Sequence, residues 1–367
     1  MMKGRLNYMT CWFVVTLFVV VSQTTSAQSY RIVNLGTLGG ESSGAQSIDN
    51  DGRVVGWSVT NAGQRHGFLY SDGILIDIGA LPGGSESVAT AVNERRIVVG
   101  YSGINQYGRQ YDEVTQAFIW SNGRIESLGA LYCPCDFNTR YGSSEAYGVN
   151  ETGQVVGSAE TRQGPEVHHA FLWEEGVMQD IGGGRNDWSI SRAFDINSES
   201  QIVGYYAQDA GRRETGRAYE RYAFLWENGR RELIGTLPGH SSSVALAVNN
   251  RTQIVGWSGS AEGLMARAFL WSDREMRDLG TLEGHEDSRA LGINNQGEIV
   301  GWSGRAELSL SRAVLWNQGT TTDLNETLSP DSGWVLLEAA GISDNGDIVG
   351  TGIWQGEVRA FMLLRRG

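Results

Sequence analysis

Three arginines occupy the same place in consecutive copies of a short motif. Arg267, Arg312 and Arg359 each precede an alanine and an apolar stretch similar to Ala-Phe-Leu-Trp. A guanidinium is planar and donates parallel hydrogen bonds, so arginines at one level suit a carboxylate, sulfate or phosphate. In the earlier copies the same place carries other polar side chains, namely His66, Gln116, His169 and Tyr222.

These residue types allow either binding or catalysis. If the arginines neutralised a uronate carboxylate, His169, His66 or Tyr222 would be suited to exchange the proton, as general acid–base catalysis requires. The enzymatic hypothesis is therefore a polysaccharide lyase. The structural alternative is that the arginines pair with aspartates and glutamates of this acidic chain.

A repeat of four strands must position these residues. The segment Ile-Val-Gly or Val-Val-Gly occurs seven times. Each copy follows a pair of residues, the first apolar and the second usually asparagine, and then a hairpin turn. The motif with the arginines follows as a third strand, and a fourth short strand ends in Leu-Gly or Ile-Gly. Seven such units predict an all-β, seven-bladed β-propeller. The repeats end near Gly56, Gly100, Gly157, Gly204, Gly256, Gly301 and Gly350.

The two ends of the chain predict how the ring closes. The last unit has three strands, whereas residues 30–36 form a fourth strand with no unit before it. Pairing of this N-terminal strand with the last blade would complete both and remove the open edges. Residues 28–367 are therefore interpreted as one propeller. An open β-solenoid with caps is the alternative.

One face of the predicted ring carries the long connections. The expansions at residues 103–116, 132–144 and 207–222 all join second to third strands or one unit to the next, and we call this side the loop-rich face. Variable loops on a rigid frame often hold binding sites. All five histidines map to this face. Further candidates are His240 and His285 in equivalent loops, and, just before the axis-facing strands, Glu145, Arg192, Arg289 and Glu338.

Two carboxylates of this set raise a hydrolase hypothesis. A glycoside hydrolase needs two facing carboxylates, for which Glu145 and Glu338 are candidates, although repeat position does not give their separation. The acidic turns at residues 49–52 and 344–347 have calcium-loop character but fall on the repeat hairpin. The sequence therefore predicts neither a metal site nor a cofactor.

Composition bounds the remaining choices. The 367 residues include 50 Gly and 12 Trp, which is typical of many short strands joined by tight turns, and the net charge is −13. Lys3 and Arg5 before an apolar run at residues 11–21 predict a signal peptide over residues 1–27; a membrane anchor is the alternative. Without those two basic residues the charge is −15, which argues against general nucleic-acid binding.

Two cysteines remain after the predicted signal peptide. Cys133 and Cys135 form a Cys-Pro-Cys segment in a polar loop. In an oxidising compartment they are candidates for a local disulfide, or for a redox or metal-reactive pair. A disulfide-stabilised fold is excluded because two cysteines cannot staple a chain of this length.

The motif set also resembles a known family. Leu-Gly-Thr-Leu-x-Gly, apolar-Asn-x-x-Gly-x-Ile-Val-Gly-Trp-Ser and His-Ala-Phe-Leu-Trp are similar to the HAF-repeat family of extracellular bacterial proteins. Only His169-Ala170-Phe171 carries the eponymous motif in full. The resemblance implies secretion and a repeat architecture, and it implies no shared activity.

Three functional hypotheses follow from the sequence. The first is a secreted or periplasmic propeller that binds an extracellular glycan or protein ligand, such as an anionic glycan, on its loop-rich face. The second is an enzyme on such glycans, with a lyase favoured over a hydrolase. The third is a structural interaction scaffold. No membrane span is expected in the mature chain.

Overall fold

The computed structural model describes residues 30–105, 113–131, 142–162, 164–183, 189–213, 216–261, 265–304 and 311–366. Cys133, Cys135 and the predicted signal peptide lie outside these ranges. Within the described ranges no helix is long and apolar enough to cross a bilayer.

Twenty-eight strands form seven antiparallel sheets of four. Strands are numbered in chain order, and each of the first six blades runs from its inner to its outer strand in that order. Blade 1 contains β2 Gly39–Ile48, β3 Val54–Thr60, β4 Arg65–Ser71 and β5 Ile74–Gly79; blade 2 contains β6 Gly84–Val92, β7 Val98–Asn105, β8 Glu113–Ser121 and β9 Arg124–Gly129. Blade 3 contains β10 Ser144–Val149, β11 Val155–Thr161, β12 Gly164–Glu174 and β13 Val177–Asp180; blade 4 contains β14 Ile190–Ile196, β15 Ile202–Arg213, β16 Gly216–Glu227 and β17 Arg230–Gly235.

The last three blades complete the ring. Blade 5 contains β18 Ser242–Val248, β19 Ile254–Gly259, β20 Arg267–Ser272 and β21 Glu275–Asp278; blade 6 contains β22 Asp287–Ile293, β23 Ile299–Gly304, β24 Arg312–Asn317 and β25 Thr320–Asp323. Two short 3-10 helices, Leu324–Thr327 and Pro330–Ser332, lead to blade 7, which contains β26 Trp334–Ile342, β27 Ile348–Trp354 and β28 Glu357–Arg365. Its fourth strand is β1, Tyr30–Gly36, which pairs antiparallel with β28. The predicted seven-bladed propeller and its closure by the N-terminal strand are confirmed.

The glycine that ends each repeat is required by a close approach between the first and second strands. At Gly256 an added Cβ would overlap the Val244 carbonyl oxygen of the inner strand. The register slips there because one extra inner-strand residue, Leu246, forms a β-bulge. The same contact and slip recur in all seven blades.

Asparagines at the ends of the inner strands link neighbouring blades. Asn249 Oδ1 accepts hydrogen bonds from the main-chain N–H groups of Arg251 and Gln253, which closes its own hairpin. Its Nδ2 donates to the carbonyl of Asn294 in the next blade, at 2.9 Å. The same link to the next blade recurs from Asn93, Asn150, Asn197 and Asn294.

Blade 1 makes the link to its neighbour differently, because it has Asp49 in place of asparagine. Arg53 binds this carboxylate, with Nε 2.7 Å from Oδ2, and donates from Nη2 to the Glu94 carbonyl of blade 2 at 2.9 Å. The guanidinium thereby supplies the donor that a carboxylate lacks.

Inner-strand serines connect the blades nearer the loop-rich face. Ser288 Oγ accepts a hydrogen bond from Ala268 N–H in the preceding blade and donates to the Gly280 carbonyl, at 3.0 and 2.8 Å. Equivalent acceptors are Ser43, Ser87, Ser144, Ser191 and Ser243. Between the blades the core contains one fully buried phenylalanine from each third strand except that of blade 6, which has Val314.

The closing blade is held by an ion pair between a half-buried arginine and a buried carboxylate. Arg365 at the end of β28 lies 2.7 and 2.8 Å from the two carboxylate oxygens of Glu298 in blade 6. Its main-chain N–H also donates to Asp347. Glu298 is 5% exposed, so loss of the arginine would leave a buried carboxylate without its cation.

We therefore expect Arg365→Ala to destabilise the protein by about 2 kcal/mol or more. The free energy of unfolding in urea is the measurement. Arg277→Ala is the matched control, because Arg277 and its partner Glu275 are both exposed and such pairs contribute little. Equal stability of the two variants would contradict the role assigned to Arg365.

Candidate functional site

The residues before the third-strand motif pair within their own blades. His66 Nδ1 lies 2.9 Å from Asp77, and His169 Nδ1 lies 2.8 Å from Asp180. Arg267 lies 3.1 Å from Asp278. Each aspartate is eleven positions further along the chain, on the fourth strand, and its Oδ1 accepts the main-chain N–H two residues later. The pairs therefore anchor the ends of the outer strands.

The other members of this position differ. Gln116 accepts a hydrogen bond from Ser127, again eleven residues later, at 2.8 Å. Tyr222 donates to Glu220 at 2.6 Å, and this hydrogen bond raises the pKa of the phenol. Arg359 contacts Glu357 and the Glu41 carbonyl, while Arg312 is exposed. The structure distributes these candidates one per blade around the ring.

His240 and His285 also have partners within the frame. Nδ1 of each ring lies 3.1 Å from a second-strand serine hydroxyl, that of Ser258 and that of Ser303 respectively. Each of these hydroxyls also accepts a main-chain N–H from the same loop as the histidine. Both histidines therefore help to fasten the connection between two blades.

The inner strands bring together a different group of candidates. The inner strands begin slightly earlier than the sequence predicted, so four charged candidates lie within them. These are Glu145 in β10, Arg192 in β14, Arg289 in β22 and Glu338 in β26. All four precede the bulge, in the half of each inner strand that starts at the loop-rich face. With the bulge residues Tyr147 and Phe194 they form a group that we call the axial wall.

Glu145, Tyr147 and Arg192 form one connected polar group across blades 3 and 4. Arg192 Nη1 donates to the Tyr147 hydroxyl at 2.9 Å and lies 3.5 Å from Glu145. The Tyr147 hydroxyl in turn donates to Glu145. Burial, and then the charge of Glu145, raise the pKa of Tyr147 far above its usual range, so the phenol keeps its proton at neutral pH.

Arg289 lies against two tryptophans on the other side of the ring. Its guanidinium carbon is 4.9 Å from the ring centroid of Trp257 and 5.6 Å from that of Trp302. Burial lowers the pKa of Arg289, and burial raises that of nearby Glu338. Trp257 and Trp302 are 6% and 9% exposed, so they serve mainly to pack the blades and orient the arginine.

Aromatic rings join these two groups. The ring centroids of Tyr147 and Phe194 are 5.2 Å apart, and those of Phe194 and Tyr205 are 5.9 Å apart. Arg221 then stacks over Tyr205 at 5.7 Å. The sequence analysis did not single out Tyr147, Phe194 or Arg221; the only signal was the position of the first two, three residues before the repeat asparagine.

A concavity lies on the axis at the face opposite the loop-rich face, where the hairpins meet. This cavity of about 410 Å³ is lined by all seven blades around the asparagine links. Glu94 and Glu151 contribute carboxylates, and burial raises the pKa of Glu151. In the part of the chain that the structure describes, no three His, Cys, Asp or Glu side chains are arranged to hold a metal ion.

The sequence match to a family model covers most of the propeller. Residues 80–181 and 176–362 match the family described as "Protein of unknown function (DUF3466)". The chain belongs to this family. A comparison with curated proteins gave no match.

Solved structures with the same architecture are distant in sequence. The β-propeller domain of the Trilobed protease from Pyrococcus furiosus is 10% identical with a TM-score of 0.53, covering 88% of this chain and 96% of that one. A puromycin-hydrolysing peptidase from Mycobacterium tuberculosis is 12% identical with a TM-score of 0.52, covering 89% of this chain and 52% of that one. At these identities the likeness concerns the fold alone. The Pyrococcus propeller has an open Velcro topology, whereas β1 closes the ring here.

One further carboxylate on the inner strands is specific to blade 4. Asp195 occupies a position where the other blades have serine, alanine or glycine. Its two oxygens accept main-chain hydrogen bonds from Ile196 and, across the blade boundary, from Val248, at 2.8 and 2.9 Å. Burial nevertheless raises its pKa to about 6.

Because the pKa of Asp195 is higher in the folded state, ionisation of this group opposes folding. Its contribution to stability should fall as pH rises from about 4 to about 6 and stay low above that. Relative to wild type, Asp195→Asn should gain roughly 2 kcal/mol between those limits, on top of any constant cost of losing one acceptor. Unfolding free energies measured across this range test this, and Asp273→Asn on an exposed turn controls for net charge. A difference independent of pH would contradict it.

Proposed function

We propose that this protein is a secreted binding propeller that takes an anionic glycan on the loop-rich face. The observation that carries the proposal is the connected group of Arg192, Glu145 and Tyr147 on the axial wall. Arg192 lies where the inner strands of blades 3 and 4 meet, within a frame of hydrogen-bonded strands. The proposed secretion depends on the predicted signal peptide at residues 1–27.

Arg192 is suited to exchange its partner. The arginine and Glu145 side chains are 36% and 27% exposed, and the ion pair between them is 3.5 Å long, which is a loose contact. A ligand carboxylate could form the shorter, bidentate pair that guanidinium groups favour. Tyr147 would hold the arginine in place while Glu145 accepted hydrogen bonds from ligand hydroxyls.

The same contacts favour binding over elimination. A lyase needs a base that removes a proton beside the carboxylate, but Tyr147 keeps its own proton and Glu145 already accepts from it. His169 is only 1% exposed, so a ligand has no access to its ring. The enzymatic alternative depends on Tyr222 or His66. Tyr222 donates to Glu220, which raises the pKa of the phenol. The Nδ1 contact of His66 to Asp77 is the orientation seen in catalytic histidines. That pair recurs in blade 3 as an anchor of the outer strand, which favours the structural role.

Titration calorimetry with sodium polygalacturonate and with alginate tests the proposal. We expect binding that weakens with salt, and an affinity reduced about tenfold or more in Arg192→Gln, because charge-assisted hydrogen bonds are lost. Arg277→Gln, on the outer strand of blade 5, should bind as wild type, and neutral dextran should not bind. Circular dichroism verifies that both variants are folded.

Three results would count against this assignment. Unchanged affinity in Arg192→Gln would exclude the axial wall as the site. An increase in ultraviolet absorbance from unsaturated products would identify a lyase. If no acidic glycan of the panel bound, the structural scaffold would be favoured.

A further inference from the structure

Arginines and carboxylates lie close together at three places in the half of the ring toward the loop-rich face. Arg192 and Glu145 form the central pair. At one end Arg65 of blade 1 lies 3.7 Å from Glu86 of blade 2, with both side chains about half exposed, at 47% and 48%. At the other end Arg289 of blade 6 and Glu338 of blade 7 hold equivalent inner-strand positions in neighbouring blades.

A cavity beside the first pair extends toward the axial wall. This space of about 230 Å³ between blades 1 and 2 is lined by Arg65, Glu86, Tyr101 and Val88, among others. Val88 holds the same inner-strand position as Glu145 and Arg192, so the cavity reaches the axial wall. Tyr101 lies opposite Val88 on the second strand of blade 2, which neighbours the blade of Glu145, and burial and the charge of Glu145 raise its pKa.

The stacked side chains connect the central pair to the third. Tyr147, Phe194 and Tyr205 lie in sequence along the wall, and Arg221 stacks on the last of them. Phe194 and Tyr205 also pack against the cluster that contains Trp257, and Arg289 stacks over that tryptophan. Aromatic side chains thus lead from the central pair to Arg289 across blades 3 to 6.

We infer that the site takes an oligomer of acidic sugar units and that the Arg65, Arg192 and Arg289 pairs bind separate units. The inference rests on the proposed function and names its substrate class. A uronate unit presents a carboxylate for the arginine and hydroxyl groups for the adjacent glutamate. One arginine–glutamate pair therefore matches the polar groups of one unit.

The glutamates distinguish this ligand from peptides. A purely acidic peptide would offer carboxylates only and would be repelled by Glu86, Glu145 and Glu338. An ammonium group favours a carboxylate that has no cation beside it, whereas Glu86 and Glu145 each have an arginine within 3.7 Å. Neutral hydroxyl donors fit these acceptors better.

Calorimetry with galacturonate monomer, dimer, tetramer and octamer tests the inference on the full mature protein. Affinity should rise with length, by roughly tenfold for each further pair engaged. Arg65→Gln should weaken octamer binding about tenfold and leave dimer binding within about twofold, because a dimer can occupy the central pair alone. Arg192→Gln should weaken every length. Arg277→Gln is the control for the loss of one positive charge.

The possible outcomes distinguish failure of the multi-unit site from failure of the proposed glycan binding. Equal affinity for dimer and octamer, or equal loss of both in Arg65→Gln, would overturn the multi-unit site while leaving glycan binding intact. Tighter binding of an alternating Glu-Lys peptide would overturn the choice of sugar. If no galacturonate of any length and no alginate bound, the proposed function itself would fail.

Discussion

In five of the seven blades the ring depends on one asparagine that makes two kinds of hydrogen bond. Its oxygen closes the hairpin between the first two strands, and its nitrogen donates to the next blade. A side chain that made only the first hydrogen bond would stabilise its own blade, and one that made only the second would stabilise only the contact between blades. Where blade 1 has Asp49, Arg53 restores the missing donor, which shows that the link to the next blade is needed there too.

The repeat position before the third strand has a structural role in the same frame. His66, His169 and Arg267 each pair with the aspartate near the end of the fourth strand of their own blade. Because the residue and its partner recur together at a constant spacing, we assign these pairs to the stability of the blades. The axial wall differs: Glu145, Arg192, Arg289 and Glu338 stand where the other three blades have glycine or valine.

Much of the fold followed from local pattern, but the candidate site followed only in part. The Gly256 position and its six equivalents predict strands and blade number because no Cβ fits against the inner-strand carbonyl. The four charged residues of the inner strands were identified from their register. Tyr147, Phe194 and Arg221 were not, since their contacts cross blade boundaries and two of them lie on bulges whose direction a strand pattern does not give.

The amino-acid sequence alone determined the seven units, the four strands in each, and the closure by the N-terminal strand, because these depend on short-range spacing and on the count of strands. The tertiary structure decided which polar side chains meet. Arg192 contacts Tyr147 and Glu145, which are 45 and 47 positions earlier in the chain, and Arg65 meets Glu86 across a blade boundary. Such contacts depend on how far each blade rotates from the last, and this angle is set by packing of the whole ring.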